Sequence, residues 1–339
     1  KAARVELVVP QIIERTTIWG AEPPELARMR RRWLARAVLA RVAGIEPELA
    51  HYDAGKEALY DRVQHRKCAW CEVTIGRYAS VEHVRPKGGV ATGDPRGTRP
   101  RRPDDPARYW WLAWTWGNQL VSCDDCNGAK WVWFACEPGT SPLSLPPAGA
   151  ALDAAMPCFD LSAERPMLVD PTRDNPRAHI VWRPADPRLA LDDLDWHPFG
   201  KTPRGQYTIA VLRLDGRLKD LVRDHLRDRV GKALLQPMQR ELAADRYAEA
   251  KRRWREHTGV LFAPSAPFHA ATLDALVWWS ARLGLTATDF PLPQVGCVAT
   301  PGVEVDLPDP PLLAAQSDAV RLAARAAENV DEAVRALCE

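Results

Sequence analysis

The sequence predicts an α+β chain, mainly helical, with a metal-held segment in its first half. Three observations point there. Apolar residues recur at helical spacing over several long stretches. Two Cys-x-x-Cys pairs, Cys68/Cys71 and Cys123/Cys126, bracket a polar, turn-rich region. The run "MLVDPTRDNPRAHIVWR" places strand-like residues on both sides of an Asp/Pro turn.

Each element follows from local chemistry. Residues 23–43, PPELARMRRRWLARAVLARVA, have two prolines at the start and Gly44 just past the end. Leu26, Met29, Trp33 and Ala37 form the inner stripe of the expected helix. Arg28, Arg30, Arg31, Arg32 and Arg36 are expected on its solvated face. Residues 55–65 read as a second helix with Leu59 and Val63 inward. Between residues 86 and 106, "PKGGVATGDPRGTRPRRPDDP" lacks periodicity and reads as a long mobile loop. Later, residues 215–235 form an amphipathic pattern with Leu218, Leu221, Val222 and Leu226 on one face. Further helices are expected at 237–257, 271–283 and 311–337. This divides the chain into an N-terminal helical segment (1–66), a cysteine-bearing core (67–136) and a mostly helical remainder (137–339).

Bulk properties set limits. The net charge is only +2, so affinity for a polyanion must come from local patches. The first residues lack the pattern of a secretory leader, and no window is apolar enough to cross a bilayer. A cytoplasmic, reduced setting is therefore expected, with no membrane partner. Eight cysteines in that setting favour thiolate ligation over disulfides. Two Cys-x-x-Cys turns complete a closed tetrahedral zinc site, structural because it leaves no position for water. Buried unligated thiols and a redox dithiol are the alternatives, and Cys136 is a further thiol of the region. The gap from Cys71 to Cys123 holds 51 residues, so other structure must sit inside it.

The order of polar residues within that gap is specific. "KCAWCE", "SVEHVRPK", "YWWLAWTWGNQLVSCDDCNGAK" and "LVDPTRDNPRAH" together resemble the HNH endonucleases with four zinc-binding cysteines. They are most similar to the HNH component of Septu anti-phage systems and of related retrons. The resemblance runs from about residue 23 to 179 and fades beyond.

It implies a ββα-metal (HNH) nuclease motif stapled by the zinc, with strands at 81–84 and 119–122 and a helix opening at Asp124. It implies His83 as general base, and Glu82 and Asn127 as ligands of one catalytic divalent ion, magnesium or manganese. Asn118 would orient the histidine-bearing segment. Many HNH proteins carry Asp where Glu82 stands. It further implies a DNA substrate, with RNA such as tRNA as the alternative, and an SMC/ABC-like ATPase as partner. Lys130, in the Cys-x-x-Cys-Asn-x-x-Lys pattern, contacts phosphate or caps the fold. Arg85 and Lys87 are candidate backbone clamps.

Arg99, Arg101 and Arg102 of the loop are candidates for sequence-independent phosphate contact, against a reading as solvated insertion. Trp110, Trp111, Trp114 and Trp116 fit a core better than a base-stacking platform. Asp170 and His179 are expected to fix a turn. The chain has no P-loop, so any nucleotide gating must come from a partner. Cleaving both strands needs two sites or sequential nicks, which makes a homodimer or multi-copy complex an expectation. A catalytically silent zinc-dependent binding or assembly module is the competing class.

Overall fold

The computed structural model describes residues 22–106, 108–142, 164–186 and 195–292. Helical turns make up about half of these residues, and two two-stranded antiparallel sheets supply the strands. The α+β expectation holds. The helix expected at 311–337 lies outside the described residues.

The described residues fall into two compact units. The first, here the hairpin unit, takes residues 22–63, 79–106, 108–142 and 164–167. Its opening helix α1 (Pro24–Val42) has proline at N1, Glu25 in its first turn and Arg41 in its last, each matched to the helix dipole. Leu26, Trp33, Leu34, Ala37 and Leu39 bury its inner face.

Arg30 departs from the expected solvent face. It falls on the inner stripe, 6% exposed, and pairs with Glu22 through Nε–Oε1 at 3.1 Å and Nη2–Oε2 at 2.9 Å. The stretch expected as a helix at 55–65 is wound differently. A 3-10 turn covers Tyr52–Gly55 and a wide π-type turn covers Ala58–Val63.

Strand β1 (Ser80–His83) then pairs antiparallel with β2 (Gln119–Ser122), setting Glu82 opposite Leu120 and His83 opposite Gln119. A short helix α2 (Asp124–Lys130) follows, with the Cys123 sulfur accepting from the Cys126 N–H at its N-cap. The four tryptophans of "YWWLAWTWGN" are all buried, as core. The intervening loop is not free at its base. Val90 and Asp105 exchange backbone hydrogen bonds of 2.9 and 3.2 Å, and Ala91 bonds to Val132 and Phe134. Gly89 makes this closure possible, since a Cβ there would stand 2.6 Å from the Asp105 carbonyl at a φ of +102°.

The second, helical unit takes residues 64–78, 168–186 and 195–292. Short α3 (Pro176–His179) leads into β3 (Ile180–Pro184), which pairs antiparallel with β4 (Trp196–Gly200). Residues 168–170, expected as the first strand of a pair, are not a strand. Asp170 instead accepts from Thr172 N and Oγ1 and closes a turn, while His179 Nδ1 lies 2.8 Å from Thr202 Oγ1.

Helix α4 (Pro203–Leu212) is capped by Thr202 and packs so tightly that a Cβ on Gly205 would overlap the His179 carbonyl at 2.0 Å. Arg213, at φ +52°, ends α4. The amphipathic pattern of 215–235 forms α5 (Leu214–Arg217), α6 (Lys219–His225) and a π-type stretch (Leu226–Leu235), not one regular helix. Then α7 (Gln236–Ala243) and α8 (Tyr247–Leu261) split at Asp245, whose φ of +59° interrupts the expected single helix. Helix α9 (His269–Arg282) closes the unit, and segment 64–78 docks on its start through Ala270 N–H to Glu72 Oε2 at 2.9 Å.

Candidate active site

The β-ladder alternates faces, so Glu82 and His83 point to opposite sides of β1. Both are nevertheless 3% exposed, because the hairpin is covered on each face. Each side chain is fixed by a different set of neighbours.

His83 Nε2 lies 2.8 Å from the Ala113 carbonyl. A carbonyl only accepts, so the proton sits on Nε2 and the Nδ1 lone pair stays available. The Ala113 carbonyl also accepts from Gln119 Nε2 at 2.8 Å, and the same amide donates to the Tyr52 carbonyl. Tyr52 packs edge-on against the His83 ring at 5.1 Å. Burial, followed by the charge of Lys87, holds the His83 pKa well below its ordinary value, with Lys130 adding to it and the Ala113 bond opposing. At neutral pH the ring is an uncharged acceptor.

Glu82 Oε1 accepts from the His83 N–H at 2.8 Å and from Lys130 Nζ at 2.9 Å. Burial pushes its pKa up and the Lys130 ammonium opposes that. Glu82 Oε2 is buried without a hydrogen-bond partner. A hard oxygen donor left unsatisfied in this way fits a divalent cation.

Asn118, 3% exposed, brackets the next stretch of backbone. Its Oδ1 accepts from the Arg85 N–H at 2.8 Å, and its Nδ2 donates to the Arg85 carbonyl at 2.9 Å and to that of Leu112 at 3.3 Å. Asn127 is half-buried on α2; among the described residues no hydrogen bond joins its side chain to Glu82 or His83.

Two of the cations expected at phosphate are turned inward. Lys130 is fully buried, and its ammonium donates to Glu82 and to the His83 carbonyl at 2.6 Å. Arg85 is 5% exposed, bonded through Nε to Glu164 Oε2 at 2.7 Å and lying over the Phe134 ring. Glu164 also accepts from the Tyr109 hydroxyl. A buried charge needs such a partner, which is why both side chains face the interior. Lys87 is half-buried, with its Nζ 4.2 Å from the centre of the Tyr52 ring. Arg99, Arg101 and Arg102 are exposed; Arg99 donates to the Gly128 carbonyl at 3.3 Å and stacks on Trp131, which ties the loop to α2.

No residue pattern marks Gln119, Tyr52, the Ala113 carbonyl or Glu164 as neighbours of the site. Their roles arise from 3-10 turns and from a partner 79 residues away, neither of which leaves a periodic trace.

The Sγ atoms of Cys68, Cys71, Cys123 and Cys126 lie within 4.8 Å of one another. None is in a disulfide. Four sulfurs at this spacing suit a closed tetrahedral zinc site. Cys136 stays outside the cluster, its thiol pushed up to about 11 by burial and then by Glu164.

Among the described residues no helix is long and apolar enough to cross a membrane. Septu protein PtuB of Bacillus mycoides (strain KBAB4) is 28% identical over 141 residues, covering 40% of this chain and 41% of that protein. The chain thus matches about two-fifths of the length of this curated relative. No family model matches the chain, and no solved structure matches it.

Proposed function

We propose that the chain is a metal-dependent HNH endonuclease that hydrolyses phosphodiester bonds in DNA, as the effector of an ATPase-coupled anti-phage complex. The observation that carries this reading is His83. Its neutral ring is oriented by the Ala113 carbonyl, and the residue before it on β1, Glu82, carries one unsatisfied buried carboxylate oxygen. The antiparallel hairpin followed by α2 supports a ββα-metal assignment. The likeness to a protein named Septu PtuB supports the defence role; the SMC/ABC-like partner is part of the same proposal.

In this reading His83 Nδ1 takes the proton of the attacking water, and the Nε2–H bond to Ala113 steadies the imidazolium that forms. Glu82 Oε2 and the Asn127 side chain hold the catalytic magnesium or manganese. When bound, that ion supplies Lewis-acid stabilisation of charge on the leaving oxygen. Asn118 keeps the backbone after His83 in place. Arg99, Arg101 and Arg102 contact phosphate without reading bases, and the four cysteines hold structural zinc. The mostly helical remainder of the chain, 137–339, is assigned to partner docking.

The burial of His83 and Glu82 favours a second reading, a silent zinc-dependent binding module. One experiment separates the two. Purified chain, with and without its ATPase, is incubated with plasmid DNA and, in parallel, total RNA, with Mg²⁺ or Mn²⁺. Nicking of DNA that His83→Ala abolishes at unchanged zinc content supports the endonuclease. RNA cleavage alone replaces the substrate, and binding without cleavage under every condition establishes the silent module.

A further inference from the structure

Lys130 has no task in the mechanism above, yet few lysines are buried so completely. Its ammonium lies 2.9 Å from Glu82 Oε1, within the neighbourhood assigned to the divalent ion, and is anchored by the His83 carbonyl at 2.6 Å. Lys87 is the second cation whose charge bears on both Glu82 and His83. Further acids are exposed: Asp53 acts on Tyr52, and Asp124 and Asp125 stand in the first turn of α2. His83 is uncharged. One buried carboxylate therefore faces two ammonium groups. The buried Glu82–Lys130 pair itself carries no net negative charge.

Hard divalent ions are held by sites whose oxygens bring negative charge, and Mg²⁺ sites at phosphates commonly borrow that charge from the substrate. A buried carboxylate already neutralised by an ammonium opposes loading until phosphate arrives.

We propose that Lys130 is a resident counter-cation that restrains Glu82 from holding a divalent ion until a nucleic-acid phosphate adds its own negative charge. The proposal rests on the endonuclease reading and adds to it an order of assembly: substrate and ion bind together. By linkage, the ion strengthens nucleic-acid binding by the same factor by which nucleic acid strengthens ion binding.

Mn²⁺ binding to the full-length zinc-loaded chain, followed by the electron paramagnetic resonance of free Mn²⁺, tests this without any turnover. Without nucleic acid, Lys130→Met is expected to bind Mn²⁺ at least about tenfold more tightly than wild type, within the usual range of coupling factors. Lys87→Met is expected to shift in the same direction by less. In a His83→Ala background, where the duplex is expected to survive, a saturating oligonucleotide duplex is expected to tighten Mn²⁺ binding by a similar factor.

Unchanged or weaker Mn²⁺ binding by Lys130→Met, at wild-type zinc content and melting temperature, overturns the proposal. If Lys130→Met does not fold, unchanged binding by Lys87→Met overturns it instead. Absence of duplex binding in a filter assay is a failure of the endonuclease reading, separable because the nucleic-acid-free comparison stands alone.

Discussion

Replacing Asn118 with alanine tests how firmly the segment after His83 is held. The side-chain amide satisfies both backbone groups of Arg85, at 2.8 and 2.9 Å, and makes a longer third bond to the Leu112 carbonyl. All of this is buried. Truncation strands one N–H and one C=O, each costing about 1–3 kcal/mol when left unsatisfied. Water entering the vacated space offsets part of that, so we expect a loss of roughly 2–4 kcal/mol. The backbone bond from Val84 N–H to the Asn118 carbonyl survives, which keeps the ladder itself intact.

The assay is urea unfolding of the zinc-loaded chain, followed by the fluorescence of the buried tryptophans of the same unit. Asn118→Asp is the companion variant. It retains an acceptor for the Arg85 N–H but loses the donor that both carbonyls require, and it should be no better than alanine. A loss below about 0.5 kcal/mol for Asn118→Ala, the range of ordinary surface changes, would refute the clamp.

Three further outcomes are expected. Burial, with the charges of Arg229 and His269, lowers the His225 pKa to about 4, below the 6.5 of the unfolded chain. The unfolded state therefore binds the extra proton, and this stability, about 3 kcal/mol, is complete above pH 6.5 and lost as pH falls towards 4. The difference in unfolding free energy between wild type and His225→Leu across that window measures it, and a pH-independent difference refutes it. Cys71→Ser should lose stoichiometric zinc by elemental analysis and lower the melting temperature, since metal-binding energy in such sites is folding energy; retained zinc removes the four-sulfur site. Replacing Arg99, Arg101 and Arg102 together with alanine should leave the melting temperature within about 2 °C and reduce the salt dependence of DNA binding by two to three contacts, each worth about −0.9 in slope. An unchanged slope takes the loop away from the DNA.

Several features were legible in the residues themselves. The prolines and glycine around α1, the spacing of its apolar residues and the two Cys-x-x-Cys pairs are local signals, and local signals survive in a linear chain. So did the order of Glu82, His83, Asn118 and the second cysteine pair, through which the resemblance placed a hairpin and a helix where they stand. The destinations of the charged side chains were not legible. Arg30, Arg85 and Lys130 each look like surface cations in sequence, yet each turns inward to an acid 8, 79 or 48 residues away. A helical or strand period tells which face a residue occupies against average solvent; it carries no information about a counter-charge delivered by distant chain. The closed base of the loop at 90–105 and the breaks at Arg213 and Asp245 belong to the same class. Backbone pairing and positive φ are settled by what packs nearby, and only the folded chain assembles that.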